Sequence, residues 1–114
     1  MTDEVRLFHV TVTLSGAPME PLIVRAALQR LSELRPFMTS LRFSSDRAEL
    51  VYWDEARSLV DVASLALRLW NEYREAAALP MWQVVGLEVV EQQIRAGREQ
   101  YDAMVDLTVV PQPF

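Results

Sequence analysis

A chain of 114 residues, 51% apolar and 24% charged, has the size and composition of one globular domain that buries a core of its own. It contains no cysteine, which excludes disulfides, thiolate metal sites and cysteine nucleophiles. Its net charge of -5, with all 11 cations arginine and scattered along the chain, argues against a nucleic-acid or anionic-membrane partner, because phosphate binding needs clustered positive charge.

The start, MTDEVRLFHV, is acidic where a secretion signal would be basic, and no apolar run approaches the roughly 18 residues of a membrane span. The sequence reads as cytoplasmic. Residues 5–14 alternate Phe8, Val10, Val12 and Leu14 against Leu7, His9, Thr11 and Thr13, the period of a strand. Ser15 and Gly16 break it. Pro18, Glu20 and Pro21 open a helix, since proline is tolerated in a first turn whose N–H groups are unpaired. Ile23, Val24, Ala27, Leu28, Leu31 and Leu34 form its apolar side, and Arg35-Pro36 ends it because the residue before a proline is pushed out of helical geometry.

Residues 37–44 and 47–53 alternate again and form a hairpin around 44–46, a loop longer than the two residues of the tightest turns. Residues 58–79 are the longest periodic run. Ser58 and Asp61 fit a Ser-x-x-Asp capping pattern, and the apolar residues cover about 220° of the helix, about twice the stripe an ordinary surface helix needs. That helix must be covered on more than one side. Pro80 closes it, and 82–91 is a β-branched strand.

The order is β-α-β-β-α-β, an α+β ferredoxin-like sandwich with two helices on one face of a four-stranded antiparallel sheet. We divide the chain into a ferredoxin-like domain, 1–92, and a C-terminal arm or tail, 93–114, in which 106–110 is β-prone. The arm is expected to pack on the wide helix stripe or to add a strand to a partner's sheet edge.

If Val85, Leu87 and Val89 join Phe8, Val10 and Val12 beneath the helices, alternation places Leu7, His9, Thr11, Trp82, Val84, Gly86, Glu88 and Val90 on the open face. Monomers rarely leave so large an apolar patch in water, so a homodimer through this face is expected. Candidate ligand or interface residues are His9, Thr11, Trp53, Trp82, Val84 and Glu88. His9, the single histidine, is a weak catalytic candidate with Glu88, which would hold its tautomer across adjacent strands. No nucleophile or second base stands at a telling spacing, so no catalytic residues, metal or cofactor are assigned. Asp54-Glu55 reads as acid favouring the positive end of the coming helix. The expected function is a noncatalytic homodimeric interaction or small-ligand-binding module, with a possible protein partner at 93–114. The alternative is a small dimeric α+β-barrel enzyme whose pocket uses His9 for proton transfer.

Overall fold

A computed structural model describes residues 5–35, 38–92 and 109–114. Their elements are β1 (Arg6–Ser15), α1 (Pro21–Leu34), β2 (Met38–Phe43), β3 (Arg47–Ala56), α2 (Leu59–Ala77), β4 (Gln83–Gln92) and β5 (Gln112–Pro113). The fold is α+β: a five-stranded mixed sheet in the order β4-β1-β3-β2-β5, with two helices. The expected four-stranded antiparallel sheet therefore gains a fifth strand, β5, which runs parallel to β2 and pairs Arg42 with Gln112 and Phe43 with Pro113. The tail's described end thus adds its strand to the chain's own sheet. The expectations for 93–108 lie outside the described residues.

The sheet is built on β1, which pairs with β3 without a break from Arg6↔Ala56 to Ser15↔Arg47. Alternation sends Phe8, Val10, Val12 and Leu14 into the layer between sheet and helices, where each is at most 1% exposed. Ala48, Leu50 and Tyr52 of β3 join them, with Val24, Ala27, Leu28 and Leu31 from α1 and Val62, Ala66, Leu69 and Trp70 from α2. Ile23 and Leu34, expected in the buried side of α1, remain exposed at its rims.

The pairing of β1 with β4 carries the main departure from simple alternation. Thr13 faces Gly86 but Leu14 faces Val84, so Val85 is an extra residue in β4. A bulge of this kind reverses the direction of every side chain beyond it. Val84 and Trp82 consequently pack on the helix side, contrary to the open-face placement read from strict alternation, while Val85 is 64% exposed. Trp82 stacks on Trp70 with ring centroids 6.2 Å apart and planes 2° from parallel. Each indole N–H is satisfied by backbone: Trp70 Nε1 donates to Pro80 O at 2.8 Å and Trp82 Nε1 to Ala17 O at 2.9 Å.

The loop after β1 is fastened to the β2–β3 hairpin. Gly16 N–H donates to Asp46 O at 3.2 Å and Met19 N–H to Ser45 O at 2.7 Å, and the Ser15 hydroxyl donates to Asp46 O at 2.9 Å. The start of α2 is capped by Ser58, whose Oγ accepts from Asp61 N–H at 3.2 Å. Its end turns on Ala78, which has left-handed backbone angles of φ 52° and ψ 49°. That conformation disfavours a residue with a Cβ, so Ala78→Gly is expected to raise stability by about 0.5–1 kcal/mol, read as a higher urea midpoint at unchanged slope.

Candidate functional site

The crevice between α2 and the end of α1 gathers the groups whose environment departs furthest from water. Arg35 follows the last turn of α1, and Asp54 stands on β3 opposite Phe8, so its side chain points to the helix layer. Arg35 Nη2 donates to Asp54 Oδ2 at 3.5 Å, with the two side chains only 21% and 18% exposed. Asp54 Oδ1 also accepts the Glu55 N–H at 2.9 Å. Leu65, Leu69, Glu72 and Tyr73 of α2 complete the walls of a cavity of about 260 Å³.

Tyr52 lies two residues before Asp54 on the same side of β3, and the Arg35 guanidinium carbon sits 5.1 Å from the centre of its ring. The ring is 1% exposed, and the hydroxyl has no hydrogen-bond partner among the described residues. Burial, opposed by Arg35 and reinforced by Asp54, pushes that hydroxyl up to about 12. Burial also raises the Asp54 carboxyl from its ordinary value, outweighing the pull of Arg35 and the Glu55 N–H. The ionised carboxylate is therefore less well accommodated here than in water, even beside its cation. An ion pair held at such a cost is poor stability engineering. Perturbed groups converging in a cleft are, however, a common mark of a functional site.

A larger recess of about 560 Å³ lies between the start of α1 and β5, lined by Leu22, Phe43, Pro111 and Phe114 among others. Of its polar groups, Arg25 and Gln112 are exposed and the Ser44 hydroxyl donates to Asp46 Oδ1 at 3.0 Å, so it offers shape without converging chemistry.

The residues singled out from sequence fall into two groups. His9, Thr11, Trp53 and Glu88 share the sheet face away from the helices; Trp82 and Val84 do not, for the reason of the bulge. His9 is opposite Trp53 on one side and Val90 on the other, and meets Trp53 edge-on with ring centres 4.8 Å apart. Glu88 is opposite Thr11, two residues along the strand from His9, and no hydrogen bond joins it to the imidazole. None of the recesses described here is lined by His9. The face is also less bare than alternation suggests: Leu7 is 2% exposed and Trp53 5% within the single chain.

Arg35, Tyr52 and Tyr73 were not among the candidate site residues, Arg35 being read only as the end of the first helix, and Asp54 was assigned to the approach of α2. The available signal was Tyr52 itself, a polar-tipped residue at a position whose register neighbours Val10 and Met38 are buried. Among the described residues no cluster of His, Asp or Glu side chains could hold a metal ion, and no helix is long and apolar enough to cross a membrane.

These elements define a two-layer α+β domain with a polar-backed crevice between its helices. The chain belongs to the family described as Domain of unknown function (DUF8830), which it matches over residues 7–104. No curated protein matches it. Among solved structures it is similar to an acylphosphatase from Coxiella burnetii, at 16% identity and a TM-score of 0.40, covering 96% of this chain and 93% of that one. It is also similar to a REP-associated tyrosine transposase bound to a REP hairpin, at 18% identity and a TM-score of 0.39, covering 87% of this chain and 64% of that one.

Proposed function

We propose that the protein is a noncatalytic small-ligand-binding module, homodimeric and cytoplasmic, with a ferredoxin-like core and its binding site in the Arg35–Asp54 crevice. The observation that carries the reading is the shielded ion pair at the back of that cavity. A net-charged ligand would have to compete with one partner of the pair and strand the other, which is costly away from water. A neutral head bearing both a donor and an acceptor engages both partners and leaves the pair intact. Arg35 keeps N–H donors beyond the one given to Asp54, and a carboxylate has lone pairs to spare. Leu65, Leu69 and the Tyr73 ring supply an apolar wall for the rest of the molecule. The chemical class is thus a small branched-chain carboxamide or urea rather than an acid or an amine.

Three ligands of one shape test this: 3-methylbutanamide, 3-methylbutanoate and 3-methylbutylamine, titrated into isotopically labelled protein and followed by NMR. The amide is expected to shift the Leu65 and Leu69 methyl and Arg35 side-chain signals, with the acid and the amine at least about tenfold weaker, the factor expected for roughly 1.4 kcal/mol of lost pairing. Equal binding of all three, or no shift with the amide, removes the proposal. Shifts centred on His9 and Thr11 instead would favour the proton-transfer reading of the sheet face.

A further inference from the structure

The two flanks of α2 carry different electrostatics. Leu65, Leu69, Glu72 and Tyr73 turn toward the Arg35–Asp54 crevice, where the cation is already paired. On the other flank, Leu67, Asn71 and Arg74 stand with Gln83 and Val84 of β4 around a recess of about 360 Å³. Leu67, Asn71 and Arg74 follow the i, i+4, i+7 spacing of one helix face, so α2 alone brings them together. The floor is the Trp70–Trp82 stack, whose rings are 2% and 4% exposed. Their bonds to Pro80 O and Ala17 O hold that floor in place.

Arg74 is the cation of this recess, and no described residue forms an ion pair or side-chain hydrogen bond with it. Its helix neighbours three and four residues away are Trp70, Asn71, Ala77 and Ala78, none of them acidic. A basic side chain in the last turn of a helix commonly serves the free carbonyls there. Here those carbonyls are taken. Arg74 O accepts from Leu79 N–H at 2.9 Å and Glu75 O from Ala78 N–H at 3.2 Å, while Ala77 O accepts from Arg30 Nε at 2.6 Å. Unlike Arg25 at the larger recess, Arg74 is half-buried, so an anion beside it is held more strongly than at an open surface. Its planar fork of N–H donors matches a carboxylate, and the side-chain amides of Asn71 and Gln83 add donors at the rim.

We infer that this recess is a second binding site, for a small monocarboxylate with an apolar body. The carboxylate lies on the Arg74 fork with Asn71 and Gln83 beside it, and the body lies between Leu67 and Met81 over the indole rims. Leu67 is 50% exposed and Met81 80%, so a ligand that covers them removes apolar surface from water. The Met81 thioether is also a favourable neighbour for an aromatic ring. A cavity of this volume is at the lower end for small-molecule sites, which suits a body of one ring. A single cation selects a single negative charge: a phosphate dianion would carry uncompensated charge in a chain of net charge -5 and would leave Leu67 and Met81 bare. The preference is the reverse of that at the crevice. There Arg35 is committed to Asp54 and suits a neutral amide; here the free guanidinium suits an acid.

The test titrates the complete isotopically labelled chain with 3-phenylpropanoate, 3-phenylpropanamide and inorganic phosphate at neutral pH, followed by NMR. The Nε1–H signals of Trp70 and Trp82 report on this recess, and that of Trp53, on the opposite face of the sheet, is the control. The acid is expected to shift both reporters and the Asn71 and Gln83 side-chain amides saturably while Trp53 stays in place. The amide and phosphate are expected to act on the same signals at least about tenfold more weakly. Arg74→Gln is expected to bind the acid at least about tenfold more weakly, with its unliganded indole signals at the parent positions. The inference is overturned by an acid that moves neither reporter, by an amide or phosphate that binds as tightly as the acid, or by an Arg74→Gln chain that binds as well as the parent. Each of these leaves amide binding at Arg35 and Asp54 standing, because that is read from the Leu65, Leu69 and Arg35 signals.

Discussion

Trp82→Ala is expected to destabilise the fold by about 3–5 kcal/mol, the range for deleting a large aromatic side chain from a core. Three losses coincide there. The ring is 4% exposed, so its apolar surface would be replaced by a cavity. Trp70, stacked upon it, would lose a partner across the face of its indole. The bond to Ala17 O, which ties the end of β1 to the start of β4 across 65 residues of sequence, would disappear. Backbone at that loop is shaped to the ring: a Cβ on Gly16 would collide with Trp82 Cδ1. Urea denaturation is the measurement, with Trp82→Phe as the partial restoration. Phe fills most of the cavity but leaves Ala17 O unpaired, so it is expected to recover all but about 1–2 kcal/mol. A Trp82→Ala chain within 1 kcal/mol of the parent, by the same measurement, would show that the indole is peripheral to the core.

Alkaline pH is expected to destabilise the protein through Tyr52. In the unfolded chain the phenol ionises near 10, whereas in the fold its hydroxyl holds its proton up to about 12. Between those values the unfolded chain has released a proton that the folded chain retains, so stability falls as pH rises through the window. Two pH units correspond to roughly 2–3 kcal/mol lost by the upper end. Below pH 10 both states keep the proton and the group contributes no pH dependence. Tyr52→Phe removes this fall. It also removes a buried hydroxyl without a partner, so at neutral pH the variant is expected to be equal to the parent or up to about 1 kcal/mol more stable. Denaturant midpoints at pH 7, 10 and 12 for both proteins decide it: a Phe variant that loses as much stability as the parent between pH 10 and 12 refutes the assignment.

The elements themselves were legible because hydrophobic period is a strong signal. The strand period of 5–14, the capping serine at 58 and the two prolines that stop the helices each act through local sterics or local hydrogen bonds, which sequence displays. What failed was long-range. Trp82 and Val84 were assigned to the wrong face because a single extra residue, Val85, reverses alternation, and register across two strands is a property of the pair rather than of either strand. Gly86 was the available clue, since a glycine inside a strand often marks a bulge or a close approach; a Cβ there would sit 3.3 Å from Thr13 Cβ. β5 was invisible for a different reason. Two residues, one of them proline, carry no periodicity, and their strand character comes wholly from the neighbour they lie against. The crevice was hidden by a boundary: β3 runs on to Ala56, so Asp54 belongs to a strand with an inward side rather than to the approach of α2, and only the folded chain brings Arg35 to it.

The two sheet edges are built unequally. A sheet with two adhesive edges is bifunctional, and bifunctional units add without limit into filaments. Here β5, with Pro111 before it and Pro113 within it, covers the last two residues of β2, and a proline offers no N–H to a further strand. The short parallel strand thus caps that end of the sheet against open-ended growth, as a chain terminator does in a polymerisation.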